Sequence, residues 1–373
     1  MTYGINQRHH GKHGMTKEHS LNKKFWNKKK VFITGHTGFK GSWLSFYLLK
    51  LNVSICGYSL KPNSRDFIFN NSNLKNNIIN YNGDIRDYDY LHKCIHKFKP
   101  DILFHLAAQP IVLDSYINSK FTFETNFNGT LNVLESAKRN KIKSTIIITT
   151  DKVYKNNNKL NKKFSENDIL GGSDPYSTSK VTAESLVECY YNNYFKDTKL
   201  GLASARAGNV IGGGDRGQYR IIPDFFRSLT QKKNLIVRSP NSIRPWQHVL
   251  EPLTGYLKLA ELYYKNNPKY GYAWNFSSDK IIRKNVKSIT SYLNKYFNKN
   301  ITYKNNQIDK KEKKYLDLSS KKANKILNWS CIYNLKQTLD KIIEWEKFIL
   351  KSKKCDFICN KQINEYLNNI YYK

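Results

Sequence analysis

Short apolar runs recur along the first half of the chain, and each is bounded by glycine or polar residues. Runs of this length, rich in β-branched and aromatic side chains, are typical of strands that are buried on both faces of a sheet. The sequence therefore predicts buried strands at 31–34, 53–58, 101–106, 146–149 and 201–205.

Segments with apolar residues at helical spacing separate these runs. In the first segment, Trp43, Leu44, Tyr47 and Leu48 form one stripe. Helices are predicted at about 40–51, 88–98, 126–139 and 179–194. Strands that alternate with helices in this way predict an α/β fold with a doubly wound, Rossmann-like parallel sheet.

The pattern becomes less regular after Gly212, where several prolines interrupt it. We therefore predict three parts. Residues 1–30 are polar, basic and aperiodic, and are expected to form a mobile extension. Residues 31–210 are expected to form the sheet domain with the catalytic residues. Residues 211–373 are expected to form mainly a smaller C-terminal substrate-binding lobe, from which some segments can return to the sheet.

The charge of the chain is strongly positive. The 373 residues carry 63 Lys+Arg against 29 Asp+Glu, a formal net charge of +34, but 52 of the basic residues are Lys and 43 Asn accompany them. Lys, Asn and Ile share A- and T-rich codons, so drift in base composition explains the excess on any fold. A nucleic-acid surface would rather cluster Arg and interleave aromatic residues. We therefore expect no nucleic-acid partner, and a salt-sensitive attraction of anions.

Composition also disfavours other classes of protein. With 39% hydrophobic and 14% aromatic residues, the chain is too apolar for an intrinsically disordered protein. No apolar run is long enough to span a membrane, so no membrane partner is expected. The six cysteines show no CxxC spacing, which favours reduced thiols in a cytoplasmic protein. No metal site is predicted, since neither the four histidines of the first 20 residues nor the pair His92 and His96 resembles one.

A glycine-rich segment lies at the junction of the first predicted strand and helix. Its pattern is GxxGxxG. Glycines there permit a tight turn and let a pyrophosphate approach the backbone, while the helix N-terminus offers free N–H groups and the positive end of its dipole. The segment therefore predicts a dinucleotide site, which comprises Gly35, Thr37, Gly38, Phe39, Lys40 and Gly41.

The adenosine half of such a site often has an acidic residue after the second strand. Residues 57–61 contain none, and we expect Asp84 and Ile85 to contact this half of the cofactor instead. Lys61 and Arg65 are compatible with a 2′-phosphate, so spacing alone leaves the choice between NAD and NADP open.

Tyr176 and Lys180 lie four residues apart on a predicted helix and therefore share one face. A lysine ammonium near a phenol stabilises the phenolate, and we expect it to lower the pKa of Tyr176 from its ordinary value of about 10. Such a tyrosine can take a proton from a sugar hydroxyl while hydride leaves the same carbon.

Thr150, Asp151 and Lys152 follow the fourth predicted strand. Ligands bind at the carboxyl ends of parallel strands in this class of fold. A hydroxyl, a carboxyl and an amine at that position can orient a substrate hydroxyl, protonate a leaving group and abstract a proton.

These motifs together resemble the extended short-chain dehydrogenase/reductase family and, in its sugar-nucleotide branch, the CDP-glucose 4,6-dehydratases. The resemblance spans about 31–367, and Asp151-Lys152 stand where the related dTDP-glucose dehydratases have Asp-Glu. The segments that carry it are 35–43 (GHTGFKGSW), 105–110 (HLAAQP), 174–180 (DPYSTSK), 204–215 (SARAGNVIGGGD), 221–224 (IIPD) and 242–252 (SIRPWQHVLEP).

The resemblance implies an NAD-dependent hydro-lyase that converts CDP-glucose to CDP-4-keto-6-deoxyglucose for deoxysugar and surface-polysaccharide synthesis. It implies that Tyr176, Thr150 and Lys180 serve oxidation at C4, that Asp151 is the acid for the C6 hydroxyl, and that Lys152 is the candidate base at C5. It also implies a homo-oligomer, a dimer or tetramer paired through helices that include 176–194.

The resemblance further suggests binding roles for residues outside these motifs. Ala107, Ala108 and Gln109 would line the cofactor cleft. Asn209 and Arg244 would hold the nucleotide diphosphate, with Asp215, Arg220 and His248 as weaker candidates in the same lobe.

The chain departs from the family at two places, and two other functions stay open. Leu113 and Asp114 occupy the place where the family usually has an arginine. In the segment between Tyr154 and Gly171, Glu166 alone remains of the acidic residues that are usual in the family. One alternative is a related dehydratase or epimerase that acts on another nucleotide sugar. The other is a non-catalytic dinucleotide-binding protein that recruits partners through its basic surface, against which Tyr176, Lys180 and Asp151 argue.

Overall fold

The computed structural model describes residues 21–157, 162–265, 270–278, 284–304 and 315–371. The strands are β1 (Lys30–Thr34), β2 (Ser54–Ser59), β3 (Ile79–Asn82), β4 (Ile102–His105), β5 (Ser144–Ile148), β6 (Gly201–Ala207), β7 (Val210–Ile211), β8 (Leu235–Val237), β9 (Ile243–Arg244), β10 (Gln247–His248), β11 (Ala273–Phe276), β12 (Lys284–Asn285) and β13 (Ile301–Tyr303).

Helices connect and cover these strands. They are α1 (Lys23–Trp26), α2 (Phe39–Lys50), α3 (Phe67–Asn70), α4 (Leu74–Asn77), α5 (Tyr88–Phe98), α6 (Val112–Ile117), α7 (Ser119–Phe123), α8 (Gly129–Arg139), α9 (Pro175–Tyr190), α10 (Ile221–Thr230), α11 (Leu250–Lys265), α12 (Val286–Phe297), α13 (Lys321–Leu327), α14 (Leu335–Lys351) and α15 (Asp356–Tyr371). π-helical turns occupy Glu124–Asn128 and Tyr191–Phe195, and a 3-10 turn occupies Asp151–Val153.

Within the described residues, the principal sheet has the strand order β11-β6-β5-β4-β1-β2-β3, and every pairing in it is parallel. The chain first builds outward from β1 to β3, and then returns to place β4 on the other side of β1. This reversal makes β1 and β4 neighbours whose carboxyl ends meet at the switch point of a doubly wound sheet. The predicted fold class is confirmed.

Both faces of the sheet are covered by apolar packing. One face, with α2, α11 and α15, shares a core that includes Trp43, Tyr256 and Trp274, and the other packs against α5, α8 and α9. A separate core around Phe225, Trp246 and other residues joins α10, α12 and α14. This third core belongs to the predicted C-terminal lobe.

The C-terminal lobe exchanges segments with the sheet domain. β11 forms the outer strand beside β6, with Ala273 opposite Ser204. α15 packs on α2, and its Tyr366 hydroxyl donates a 2.6 Å hydrogen bond to the buried Glu251. Part of the predicted lobe therefore completes the sheet, and the domain boundary at 210/211 stays a prediction.

The predicted mobile extension is wrong for residues 21–30. α1 lies in this segment, begins at the side-chain cap of Asn22, and buries Trp26 completely. Leu21 is also buried in the core beneath α11. A short helix anchored by a single tryptophan has no periodic pattern to detect, which is why the sequence failed to predict it. Residues 1–20, with their four histidines, lie outside the described residues.

The other predicted elements differ mainly at their ends. The helix predicted at 179–194 begins earlier, because Asp174 caps it and Pro175 occupies its first turn. β3 was not predicted: its sequence INYN is half exposed and has no apolar run. In the described part of the chain, no helix is long and apolar enough to span a bilayer.

Candidate active site

The residues that the sequence predicts to bind cofactor or to act in catalysis lie at the carboxyl end of the sheet. The segments that follow β1, β4, β5 and β6 meet there. The register pairs Thr34 with His105 at the ends of β1 and β4, and their side chains are hydrogen-bonded at 2.7 Å. The backbone N–H of Ala107 also donates to the Thr34 hydroxyl, at 3.3 Å. This buried contact fixes the two sides of the switch point to each other.

Two glycines of the predicted dinucleotide loop are required by the packing of the protein itself. Gly35 has a φ of +74°, and a Cβ there would lie 2.6 Å from the backbone nitrogen of Ala107. A Cβ on Gly41 would overlap the carbonyl group of Gly35. The first turn of α2 can therefore approach the end of β4 only because these positions lack side chains.

Gly38 differs from these two. Its φ is −67°, and a Cβ there would meet only the Gly35 carbonyl oxygen, at 3.5 Å. Gly38 is also the N-cap of α2, and no side chain caps this end of the helix. The absence of a side chain therefore leaves open space in front of free N–H groups, as the diphosphate of a dinucleotide requires.

The adenosine side of the loop is lined by hydroxyl groups where many dinucleotide sites have an acid. The Thr37 hydroxyl lies 3.1 Å from that of Ser59, the last residue of β2. Asp84 follows β3, and its carboxylate binds Arg86 with a shortest distance of 2.7 Å, which holds the pKa of Asp84 below its ordinary value. Ile85 is buried against Gly129.

The segment after β4 is held by its own hydrogen bonds. The Gln109 amide donates to the Thr122 hydroxyl at 2.9 Å and to the Ile111 carbonyl at 3.1 Å. The Gln109 backbone exchanges hydrogen bonds with the Asn126 amide. Gln109 thus anchors the loop, and the partly buried Ala107 and Ala108 form its surface toward the cleft. The predicted cofactor contact of Gln109 remains a prediction.

The start of α9 is defined by sequence signals. The Asp174 side chain accepts from the Ser177 backbone while Ser177 returns a hydrogen bond, a capping box that fixes the first turn. The Tyr176 N–H donates to the Ser115 hydroxyl at 3.1 Å. One turn later, the Ser179 hydroxyl accepts from Asn126 at 2.9 Å. These contacts hold Tyr176 against the segments that follow β4.

The expected low pKa of Tyr176 is wrong for the protein alone. Burial raises the pKa of Tyr176 to about 12, and a hydrogen bond with the Thr150 side chain acts in the opposite direction. Lys180 does not offset this effect, because its ammonium group donates to the carbonyl of Ile148 at 3.4 Å and is itself desolvated. Burial, followed by the charge of Lys40, lowers the pKa of Lys180 to about 8.

Thr150 and Asp151 lie close enough to Tyr176 to affect its pKa, and Lys152 follows them in the same 3-10 turn. The Thr150 hydroxyl caps the 3-10 turn by accepting from the Lys152 N–H at 3.3 Å, and donates to Asp151 Oδ1 at 3.0 Å. Asp151 Oδ2 is buried and has no hydrogen-bond partner among the described residues. Burial raises the pKa of Asp151, although the charges of Lys152 and Arg244 oppose the rise.

Lys40 lies deeper in the cleft than its place in the glycine-rich loop suggests. Burial and the charge of Arg220 lower its pKa to about 8, while Asp151 and Asp215 raise it. Lys40 also lowers the pKa of Lys180. It therefore lies between the predicted cofactor loop and the predicted catalytic residues.

Most of the predicted substrate-binding residues surround this centre. Arg220 binds Asp215 at 3.1 Å, and its charge lowers the pKa of Tyr176. Arg244 is buried on β9 and donates to the carbonyl of Ile243 at 2.8 Å, within electrostatic reach of Asp151. Asn209 is partly buried after β6, and its carbonyl accepts from the Gln247 N–H. Of these side chains, Arg244 and Arg220 are positive, and Asp215 compensates the charge of Arg220.

The contact of His248 with a substrate stays a prediction, and in this structure the His248 ring lies in the core. Its ring is completely buried, edge-on to Trp43 and Tyr333, and the Leu250 N–H donates to its Nδ1 at 3.3 Å. Burial lowers the pKa of His248 to about 3, so the ring is neutral. His248 thus belongs to the core although it lies in a segment of the family pattern. The sequence cannot show whether such a histidine lines the site or the core, because this depends on three-dimensional packing.

The two departures from the family pattern lie at the edge of the site. Asp114, on α6, is 4.0 Å from Arg65, which extends from the segment after β2. Glu166 accepts from the Asn275 backbone at 2.9 Å, and burial raises its pKa. Both acids therefore contact neighbouring segments of the chain.

Sequence reasoning missed three buried residues that support the site. Asn126 belongs to a π-helical turn, Glu184 lies one turn beyond Lys180, and Arg206 is on β6. A glutamate four residues after the lysine and a lone arginine in a buried strand were visible signals, since charged residues there need partners. In the described residues, no cluster of three or more His, Cys, Asp or Glu side chains is arranged to hold a metal ion.

Comparison with known proteins shows the family of the chain. The family model described as GDP-mannose 4,6 dehydratase matches residues 32–342. The CDP-glucose 4,6-dehydratase of Salmonella typhimurium is 39% identical over 355 residues, which cover 93% of this chain and 99% of that protein.

Solved structures show the same fold. An epimerase from Methanothermobacter thermautotrophicus superposes with a TM-score of 0.76 at 25% identity, covering 89% of this chain and 96% of the other. The dTDP-glucose 4,6-dehydratase of Bacillus anthracis, solved in complex with NAD, gives a TM-score of 0.72 at 20% identity, covering 86% and 97% of the two chains.

Proposed function

The chain belongs to the GDP-mannose 4,6-dehydratase family, and we propose that it is a CDP-glucose 4,6-dehydratase, a hydro-lyase that uses NAD. The observation that carries the proposal is Asp151. This carboxyl is buried beside Tyr176, its pKa is raised, and one of its oxygens has no hydrogen-bond partner among the described residues. A carboxyl whose pKa is raised, next to a tyrosine that can take a hydroxyl proton, suits the removal of water from an oxidised sugar. The 39% identity to a curated CDP-glucose 4,6-dehydratase over nearly the whole chain supports the choice of nucleotide.

The residues present fit NAD. The open space in front of Gly38, together with the uncapped N-terminus of α2, suits the diphosphate, and the Thr37–Ser59 hydroxyls suit a ribose without a 2′-phosphate. Asp84, Ile85, Ala107, Ala108 and Gln109 would line the remaining cleft. When bound, NAD accepts the hydride from C4, returns it to C6, and brings the positive charge of its oxidised ring to the site.

Oxidation at C4 falls to Tyr176, Thr150 and Lys180. Tyr176 takes the C4 hydroxyl proton, and Thr150, which already hydrogen-bonds the phenol, orients that hydroxyl. Because burial raises the pKa of Tyr176 to about 12, the phenolate needs nearby positive charge. The guanidinium of Arg220 lowers the pKa of Tyr176 in the protein alone, and we propose that the ammonium of Lys180 adds to this effect when substrate and cofactor are bound.

Elimination falls to Asp151 and Lys152. The 4-ketone acidifies the proton at C5, which Lys152 removes, while Asp151 protonates the C6 hydroxyl so that it leaves as water. A proton then returns to C5 as the hydride reaches C6, and the product is CDP-4-keto-6-deoxyglucose. Asn209, Asp215, Arg220 and Arg244 would hold the nucleotide diphosphate, with the arginines bearing the charge.

We further propose that the protein is cytoplasmic and works as a homo-oligomer, a dimer or tetramer. The described surface of the α8–α9 side carries aromatic and charged groups, such as the half-exposed Tyr194 with Lys138 4.4 Å from its ring centroid. Sedimentation equilibrium tests this proposal, because a mass near 43.7 kDa at micromolar concentration would refute it.

The test of the proposed function is to incubate the purified protein with CDP-, dTDP-, UDP- and GDP-glucose and to detect the 4-keto sugar by its absorbance in alkali. We expect product with CDP-glucose. Turnover only with another nucleotide would assign the protein to a related dehydratase. Retained NAD with no turnover of any sugar would instead indicate a binding protein, and both outcomes would refute the proposal.

A further inference from the structure

A completely buried carboxylate lies directly behind the candidate catalytic residues. Glu184, on α9, is one helical turn after Lys180 and has no exposed surface. Its Oε1 accepts a hydrogen bond from the hydroxyl of Thr149, the residue before the Thr150-Asp151-Lys152 segment. Its Oε2 accepts from the Ser204 hydroxyl at 2.8 Å. The carboxylate therefore joins α9 to the residue after β5 and to the middle of β6.

A buried arginine keeps this carboxylate charged. Arg206 is 1% exposed and donates to Glu184 Oε2 at 2.7 Å. Its charge and its hydrogen bond hold the pKa of Glu184 below its ordinary value despite burial. Truncating one member of such a pair leaves an uncompensated buried charge, whereas in the intact pair the two charges compensate each other.

The same arginine extends the network beyond the carboxylate. Arg206 donates to the Tyr154 hydroxyl at 2.8 Å, and Tyr154 donates to the Asn275 amide oxygen at 2.7 Å. Asn275 in turn donates to the carbonyl of Phe164 at 3.0 Å. One continuous chain of hydrogen bonds thus runs from α9 through β6 to β11 and to the segment that follows the catalytic turn.

We propose that Glu184 is a positioning residue of the dehydratase: through Thr149 it fixes the Thr150-Asp151-Lys152 turn against α9, and its negative charge keeps Lys180 a cation. The inference rests on the proposed function. Glu184 acts through Thr149 and Lys180 and contacts neither substrate nor cofactor.

Lys180 needs this charge because its other surroundings oppose the cation. Burial and the ammonium of Lys40 lower its pKa to about 8, and Glu184 raises it. His105 is held neutral, with a pKa of about 3. Within the described residues, Lys40 on α2, His105 on β4 and Glu184 on α9 interact electrostatically with Lys180, and Tyr176 shares its face of α9. Arg206 on β6 is the ion-pair partner of Glu184, and Asp151 follows the neighbouring strand β5.

Removal of the Glu184 charge should move the alkaline limb of the pH–rate profile, which is the pH range in which the rate falls as Lys180 loses its proton. In Glu184→Gln the carboxylate charge is lost and the charge of Arg206 is left uncompensated, and both changes favour neutral Lys180. Two unit charges about one helical turn apart at an effective dielectric constant of about 20 predict a shift of about one to two pH units. The alkaline limb of the rate should therefore move to lower pH.

The experiment measures single-turnover reduction of bound NAD by CDP-glucose between about pH 6 and 10, in the holoenzyme. Glu184→Gln should move the alkaline limb downward, whereas Glu184→Asp retains the charge and should leave the limb in place with a lower rate. The matched control is Glu346→Gln, which removes the carboxylate of another Glu–Arg pair, with Arg216 at 2.8 Å, outside this network. That variant should leave the limb unmoved.

Thr149→Val keeps the charge and removes only the hydrogen bond to the turn. We expect its turnover number to fall at least threefold while KM and the alkaline limb stay unchanged. An unmoved limb in Glu184→Gln overturns the electrostatic role, and wild-type turnover in Thr149→Val overturns the positioning role. If Glu184→Gln does not fold, a limb that moves in Glu184→Asp overturns the electrostatic role. A wild-type protein inactive on all four nucleotide sugars would instead refute the proposed function itself.

Discussion

The three glycines of the loop after β1 are expected to respond differently to the same substitution, Gly→Ala. At Gly38 a methyl group meets only the Gly35 carbonyl oxygen at 3.5 Å, with φ at −67°. Alanine is a poorer N-cap than glycine, which lowers stability, but it also restricts the unfolded chain, which raises stability. Because these effects oppose each other, the unfolding free energy should stay within about 1 kcal/mol of wild type. The same methyl group would occupy the space assigned to the diphosphate. NAD affinity should therefore fall at least tenfold, about 1.4 kcal/mol.

Gly35→Ala should destabilise the protein itself. The left-handed φ of +74° is unfavourable by about 1–2 kcal/mol for alanine. The Cβ would also lie 2.6 Å from the backbone of Ala107, so β4 or the loop must shift. Together we expect a loss of about 3 kcal/mol or more. Gly41→Ala should behave similarly, because its Cβ overlaps the Gly35 carbonyl group. Gly271→Ala is the control for backbone strain alone, since its φ is +66° and nothing lies within 4 Å of the added atom.

The assay combines urea unfolding of the cofactor-free variants with titration of NAD. Gly38→Ala should retain stability and lose affinity, while Gly35→Ala and Gly41→Ala should lose stability. Wild-type NAD affinity in Gly38→Ala would refute the assignment of this loop to the diphosphate. A loss of stability in Gly38→Ala as large as that in Gly35→Ala would refute the packing argument.

Asp151→Asn should lower the rate of 4-keto-6-deoxy product formation at least about 100-fold while C4 oxidation persists, because a general acid typically contributes that much. Stopped-flow absorbance should then show reduced cofactor that persists. Normal product formation would contradict the acid role. Stability should fall as pH drops from about 6.5 towards 4, because burial lowers the pKa of His36 to about 4 and those of His105 and His248 to about 3, so only the unfolded chain binds these protons. Each histidine should contribute on the order of 2 kcal/mol between pH 6.5 and 5, and urea midpoints that do not change over that range would contradict buried neutral rings. Trp26→Ala should lower the unfolding free energy by about 3 kcal/mol, because a completely buried indole is lost from the core under α11; an unchanged urea midpoint would show that α1 adds nothing to the fold.

The sheet was largely predictable because its central strands are buried on both faces. β1, β2, β4, β5 and β6 are continuous apolar runs, and their alternation with helices specifies a parallel sheet. β3 escaped prediction because an edge strand with half-exposed residues has no such run. β11 was not predicted because about 65 residues, 208–272, separate it from its partner β6, and pairing over that distance leaves no local signal.

The site was predictable where chemistry follows local sequence and unpredictable where it depends on burial. Gly35, Tyr176 and Asp151 were identified from motifs whose spacing has a mechanical reason. The raised pKa of Tyr176 could not be predicted from a motif, because it arises from desolvation, which outweighs the hydrogen bond of Thr150 only in the folded protein. His248 was assigned to the substrate although packing places it in the core, and Glu184 was overlooked although it accepts a hydrogen bond from Thr149, the residue before the turn.

The most direct test of the account uses CDP-glucose that carries deuterium at C4. Tyr176 and Asp151 are assigned to oxidation and elimination in one closed site, so the hydride taken from C4 should return to C6 of the same sugar. The account predicts a 4-keto-6-deoxy product with one deuterium in its C6 methyl group, measured by NMR and mass spectrometry. A product whose methyl group lacks the label, with deuterium released to water, would contradict it.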